Sequence, residues 1–327
     1  PIGQRAAKLQ ARAYGKVGVG PWDLRAPAPV LGEGGSRAAI PFEKAMEQIA
    51  SAYGEVDASM ADFVRMMGEK GWIEGSVGPN KRPGAYCTGF RKSREPRVYM
   101  TYSGGASNVI TLAHELGHAY HSWVMRDLPM SQTNYGMSLA ETASTFGETL
   151  VRDALLRQSE SAQDRLDMLW AEMSAFTGFT LNIPTRFEFE SRFYEARKER
   201  PLRPAELSTM MSESWETWYG DALAEPDPMF WASKLHFSMS HMSFYNFPYL
   251  FGYLFSLGVY DKRALFGDTF FPRYVALLRD TGRMTAEDLA LKHLDEDITD
   301  PSFWMSIIKR LELRVDAFET QLDEVGL

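Results

Sequence analysis

Hydrophobic positions along this chain follow two different periods. Phe42, Ala45, Ile49, Ala52 and Tyr53 recur at helical intervals, as do Met60, Phe63 and Met67, so residues 42–67 read as helical. Residues 85–90 and 97–102 are short and rich in Tyr, Val and Thr, with Ser103-Gly104-Gly105 as a turn, and read as two β segments. Helical spacing returns at Ser107 or Asn108, either a good N-cap, and runs to about Arg126. Val109, Leu112, Ala113 and Leu116 form the buried side of that helix. Further helices are expected over 138–157, 185–198, 205–219, 265–279, 286–294 and 302–322. Trp215 and Trp218 are expected to face the core, and Thr285 is expected to cap the helix that follows it. Residues 230–260 are aromatic and read as helical pieces around Pro248. Residues 1–40 read as a short basic helix followed by Gly- and Pro-rich coil, and 76–82 and 128–137 as loops. The expected fold is mainly α, with a small β-sheet beside the helix of residues 107–126.

Composition narrows the class of protein. With 327 residues, 45% of them hydrophobic, the chain can bury a large core as one domain or two intimate ones. Aromatic content of 13% argues against disorder. A net charge of −8 disfavours nucleic acid and anionic membrane as partners. A single cysteine, Cys87, excludes an intrachain disulfide and fits a reducing compartment. The most apolar stretch, residues 247–260, is shorter than the ~20 residues a membrane span needs. No secretory signal pattern opens the chain, and a soluble, cytoplasmic protein is expected. The chain begins at Pro1, as a processed protein or a piece of a longer one would.

Chemistry concentrates in one stretch. Three of the six histidines lie in His114-Glu115-Leu116-Gly117-His118-Ala119-Tyr120-His121, whose first five residues spell H-E-x-x-H. On a helix, residues four apart share a face, so His114 and His118 can offer two imidazoles to one metal ion. Glu115 can then reach a water held there. The bland alternative is a solvated helix that happens to carry two histidines. Catalytic zinc usually takes three protein ligands and keeps one position open. The next helix offers Glu141 and Glu148, seven residues apart on one face. Ser138-Leu139-Ala140-Glu141 also reads as a capping box, in which Glu141 would only close the helix start. Spacing alone does not choose between the two carboxylates. His121 can orient a ligand or be a packed, hydrogen-bonded histidine, and Asp127 is a candidate partner for a ligand with nothing specific to support it.

The sequence resembles the oligoendopeptidase F branch of the thimet-oligopeptidase-like zinc metallopeptidases. The likeness lies in Thr111 through Ser122, in Ala140-Glu141-Thr142-Ala143-Ser144-Thr145-Phe146-Gly147-Glu148, in Phe244 through Ser256, and in Thr281 through Leu289. It covers nearly the whole chain. It implies a helical zincin-type catalytic domain over residues 1–327, with one Zn2+ per chain held by His114, His118 and Glu141 and with Glu115 as general base. It also implies histidine and tyrosine donors for the reaction's oxyanion, here Tyr245, Tyr249 or Tyr253 with His236 or His241. The reading for each tyrosine as a packed core residue stays open, most of all for Tyr249. Gly147 stands where the family often has Asn, a change not expected to matter. Family members are commonly about twice this length, so this chain looks like the catalytic half alone.

The expected activity is zinc-dependent internal cleavage of short peptides. The rival expectations are a non-catalytic, metal-stabilised peptide-binding module, half of an enzyme completed by a separate N-terminal chain or a second copy of this one, and an exopeptidase of the same chemistry.

Overall fold

A computed structural model describes residues 1–32, 39–81 and 84–327. Part of the expected N-terminal coil, and Arg82 of the expected 76–82 loop, lie outside the described residues. In chain order the helices and strands are α1 (Ile2–Ala13), α2 (Phe42–Gly54), α3 (Ala58–Glu69), β1 (Ile73–Glu74), β2 (Ala85–Phe90), β3 (Glu95–Met100), α4 (Ala106–Val124), α5 (Met137–Ala140) and α6 (Thr142–Gln158). Then follow α7 (Ala162–Thr177), α8 (Ile183–Glu199), α9 (Pro204–Tyr219), α10 (Phe230–Ser233), α11 (Phe247–Phe266), α12 (Phe270–Asp280), α13 (Ala286–Leu294) and α14 (Pro301–Glu324). The fold is mainly helical with one small sheet, as the hydrophobic pattern predicts. No helix among the described residues is long and apolar enough to cross a membrane.

The chain divides into two compact units, one of Pro1–Glu33, Glu160–Phe251 and Lys309–Leu327, the other of Gly34–Ser159 and Gly252–Ile308. The first unit is built around the α9 stripe Met211, Trp215 and Tyr219, each fully buried. Ala7 and Ala11 of α1, Leu181 and Phe189 complete this core. Four-residue steps carry the stripe, so Trp218 falls off its edge and is exposed, against expectation. Helix α7 is absent from the expected elements although Leu166, Leu169, Trp170, Met173 and Phe176 are buried at helical spacing. Its start is capped by Ser161, whose hydroxyl accepts from the Asp164 backbone N–H.

The second unit holds the H-E-x-x-H stretch on α4. Val109, Leu112, Ala113 and Leu116 are completely buried, as their spacing predicts. They face α6, whose Phe146, Leu150 and Val151 are buried to the same degree. The helix begins at Ala106, and Asn108 sits in its first turn rather than at the cap. From there the Asn108 Oδ1 accepts the backbone N–H groups of Ser103 and Gly105. The expected helix over 42–67 is two helices, separated where the Asp57 carboxylate caps Ser59 N–H. The sheet has the order β1-β3-β2, with β1 parallel and β2 antiparallel to β3. β2 matches its expected range, and β3 starts two residues early because Phe90 pairs with Glu95 across a tight turn. β1 is two residues long, too short to show a period.

α4 and α6 approach at the level of their backbones. A Cβ on Gly117 would stand 2.4 Å from the Ala143 carbonyl oxygen and 2.6 Å from Ser144 Cα. On α6, a Cβ at Gly147 would meet the Tyr53 hydroxyl at 2.0 Å. That hydroxyl donates to the Ala113 carbonyl at 2.8 Å, one residue before His114. The glycine at position 147 is therefore not neutral in this chain: Tyr53 fills the space a side chain there would need.

Candidate metal centre

The two histidines of α4 project from successive turns toward one point. Their Nε2 atoms are 3.1 Å apart. The Glu141 Oε2 lies 3.3 Å from His114 Nε2 and 3.4 Å from His118 Nε2. Among the described residues this is the one group of His, Cys, Asp and Glu whose ligand atoms converge. Two ligands of a tetrahedral zinc with bonds of ~2.0–2.1 Å sit about 3.3 Å apart. The triangle of donors has that edge length. It also sets two imidazole nitrogens and a carboxylate oxygen against one another, an arrangement that a cation relieves.

Glu141 occupies this point because the helix breaks there. The expected helix over 138–157 is interrupted at Glu141, which stands between α5 and α6 with φ −85° and ψ 0°. The expected capping box does not form; Glu141 makes no side-chain cap. The Ser144 hydroxyl instead donates to Glu141 Oε2 at 2.7 Å, and the Thr145 hydroxyl donates to its carbonyl oxygen. Gly252 of α11 packs on the Glu141 side chain so closely that a Cβ there would be 2.7 Å from Glu141 Cβ. Burial pushes the Glu141 carboxyl up, but the His118 and His114 imidazoles outweigh it and bring it down to about 2.

Glu148, which spacing rates equal to Glu141, stands behind His114. Its Oε1 is 2.6 Å from His114 Nδ1. A carboxylate accepts, so Nδ1 carries a hydrogen and Nε2 is the nitrogen left to hold a metal. Arg152, one turn on, donates to the other Glu148 oxygen at 2.5 Å, and both residues are buried. Burial opposes charge on His114, yet the bonded Glu148 raises the imidazole to about 9.

Glu115 is 5% exposed, and its Oε2 has no hydrogen-bond partner among the described residues. Burial raises its carboxyl above the usual range, against the downward pull of His114 and His118. A buried carboxylate oxygen with no donor beside an open cluster of ligands suits proton transfer better than structure.

His121 is a packed histidine. It is fully buried, with Nε2 3.1 Å from the Leu278 carbonyl oxygen and 2.9 Å from the Thr281 hydroxyl. Its ring stacks on Tyr135 at 4.2 Å, and burial lowers its pKa to about 3. Asp127 pairs with Arg279 at 2.6 and 3.0 Å rather than with a ligand. Tyr253, next to Gly252 on α11, is 4% exposed. His236, His241 and Tyr245 belong to the first unit. There His236 and Tyr245 lie ring to ring at 4.3 Å, and His236 Nδ1 is 2.8 Å from Asn246 Oδ1. Tyr249 donates to the Tyr245 hydroxyl at 3.3 Å, while His241 is exposed in a turn. Sequence reasoning misses Ser144, Arg152, Tyr135 and the packing role of Gly252. Only Arg152 carries a signal, four residues after Glu148.

Comparison with known proteins shows the family. The family model described as Peptidase family M3 matches residues 19–288. The chain is 25% identical to oligopeptidase PepF of Bacillus subtilis (strain 168) over 301 residues, 91% of this chain and 44% of that protein. It is 29% identical to the chromosomal oligoendopeptidase F of Lactococcus lactis subsp. cremoris over 216 residues, 64% of this chain and 34% of the other. The chain thus spans less than half the length of these curated relatives. The crystal structure of oligoendopeptidase-F from Enterococcus faecium shares the fold with a TM-score of 0.66 at 22% identity, over 99% of this chain and 50% of that one.

Proposed function

This chain belongs to peptidase family M3, and on that premise we propose that it cleaves internal bonds of short peptides, using zinc held by His114, His118 and Glu141. The observation that carries the reading is the donor triangle with edges of 3.1–3.4 Å beside the buried Glu115 carboxylate, whose Oε2 has no hydrogen-bond partner among the described residues. Two imidazoles and one carboxylate are a zinc set that leaves a position open. When bound, zinc supplies a Lewis acid that acidifies water and polarises a peptide carbonyl.

The rest of the chemistry falls to the protein. Glu115 takes a proton from the attacking water and delivers it to the leaving amine. Its burial raises its proton affinity, which suits a group that must both accept and return a proton near neutral pH. Tyr253 donates to the oxyanion that develops on the substrate carbonyl, and such a donor is typically worth ~2.7–4 kcal/mol. Glu148 fixes the His114 ring and makes it a more basic ligand. Because His114 is held protonated up to about 9, metal uptake displaces a proton and strengthens as pH rises toward that value.

Two outcomes check these roles. Glu148→Gln is expected to weaken zinc binding by about 10–100-fold, measured by competition with a chromophoric chelator. Unchanged affinity would reduce Glu148 to packing. Tyr253→Phe is expected to lower kcat more than it raises KM, and an unchanged kcat would return Tyr253 to the core. The reading as a whole is tested by metal content: one zinc per chain, lost in His118→Ala, is expected, and a chain that binds none contradicts it. The lone cysteine suits a cytoplasmic setting.

A further inference from the structure

The face of α4 that carries the histidines continues beyond them. His114, His118 and Ser122 are each four residues apart on α4, so each stands about 6 Å along the helix past the one before, and Arg126 follows in the turn after the helix. From Ser122 onward this face borders a pocket of ≈ 330 Å³. That is within the ~300–1,000 Å³ of ligand sites. Its walls include Ser122 of α4, Arg126 from the turn that follows it, Arg91 and Arg94 from the β2–β3 turn, and Asn134 and Tyr135 from the loop before α5. Tyr135 links pocket and donor triangle: it stacks on His121, and burial, Cys87 and Glu141 in that order push its hydroxyl up to about 12.

The pocket is basic. Its one acid, Glu95, is bonded to Arg97 at 2.9 Å. Arg126 lies over the Trp123 ring at 3.9 Å and donates to the Trp123 carbonyl. Arg91 and Arg94 have no acidic partner among the described residues. Guanidinium forks match carboxylates in geometry and charge. We propose that this pocket binds a carboxylate of the peptide substrate, two to four residues from the scissile bond. The distance follows from the helix: the pocket begins at Ser122, about 6 Å beyond His118, and extends away from it, while an extended peptide advances ~3.3 Å per residue. The inference deepens the peptidase reading and rests on it. The carboxylate is a free C-terminus or an Asp or Glu side chain, since both present the same group.

The test is a set of internally quenched peptides, each made as C-terminal acid and amide, with Glu or Gln at each of the second to fourth positions on both sides of the cleaved bond. The native chain and Arg91→Gln/Arg94→Gln are compared. One carboxylate placement is expected to raise kcat/KM about tenfold, or 1.4 kcal/mol, mainly through KM, and to lose the advantage in high salt. The double variant loses this preference and cleaves the neutral peptides as the native chain does. Preference for acid over amide identifies the C-terminus; preference for Glu over Gln in amides identifies a side chain. Equal rates throughout, or a preference that survives in the double variant, overturn the proposal. Fluorescence anisotropy of labelled acid and amide peptides on zinc-stripped protein gives a second readout. Carboxylate-dependent binding that Arg91→Gln/Arg94→Gln abolishes supports the pocket even if no peptide is cut, whereas cleavage without discrimination overturns the pocket and leaves the peptidase reading standing.

Discussion

Glu115→Gln is expected to bind zinc as the native chain does and to lose at least about a hundredfold in kcat, the low end for a positioned general base. The substitution keeps the shape of a side chain that is 5% exposed, so packing changes little. It removes the buried carboxyl beside the donor triangle that can take and return a proton. His121 cannot substitute, because it is neutral, fully buried and bonded to Leu278 and Thr281. Tyr135 has a hydroxyl raised to about 12 and does not ionise near neutral pH. Glu148 is committed to His114 and Arg152. If Glu115 served only to fill space, Glu115→Gln would shift Tm slightly and leave kcat alone. Retained turnover in zinc-loaded protein would refute the assignment.

Gly117→Ala is expected to destabilise the protein and to loosen the metal site. In an open helix the same change would stabilise by ~1 kcal/mol, because alanine is the better helix former. Here the new methyl would stand 2.4 Å from the Ala143 carbonyl oxygen and 2.6 Å from Ser144 Cα. Both are backbone atoms, so relief requires moving α4 away from α6. Overpacking of this kind costs about 1–3 kcal/mol, or roughly 2–12 °C in Tm for a domain of 150–250 residues. The same movement draws Glu141, two residues before Ala143, away from His114 and His118. Zinc affinity is expected to fall by about 10–100-fold, the range for lost support of a ligand. Calorimetry and metal competition check the two effects together. A rise in Tm with native zinc affinity would show that the helices are not held at this distance.

The sequence exposes the ligands on α4 because helical periodicity and ligand spacing coincide there. His114 and His118 are four apart for the same reason that Leu112 and Leu116 are, and both pairs lie where the period puts them. Thr285 and the range of α13 are equally legible, since the cap and its Asp288 partner are local. The third donor is not legible by spacing. Glu141 and Glu148 share a face only if α6 continues through Glu141, and the break at that residue separates their roles. At the break, Gly252 from a distant helix packs on the Glu141 side chain and the Ser144 hydroxyl bonds its carboxylate, and the first of these leaves no local trace. The resemblance to known peptidases selects Glu141 where the period cannot. Tyr135 and the arginines of the β2–β3 turn leave no periodic trace, because loops and turns bring them together.

The most direct test of the central claim is hydrolysis of a mixed library of short peptides blocked at both ends, read by mass spectrometry. The account predicts internal cleavage that stops when a chelator removes the metal and returns with added zinc. Stoichiometric zinc with no peptide cleaved would contradict it and leave a metal-stabilised binding module or half of a two-chain enzyme.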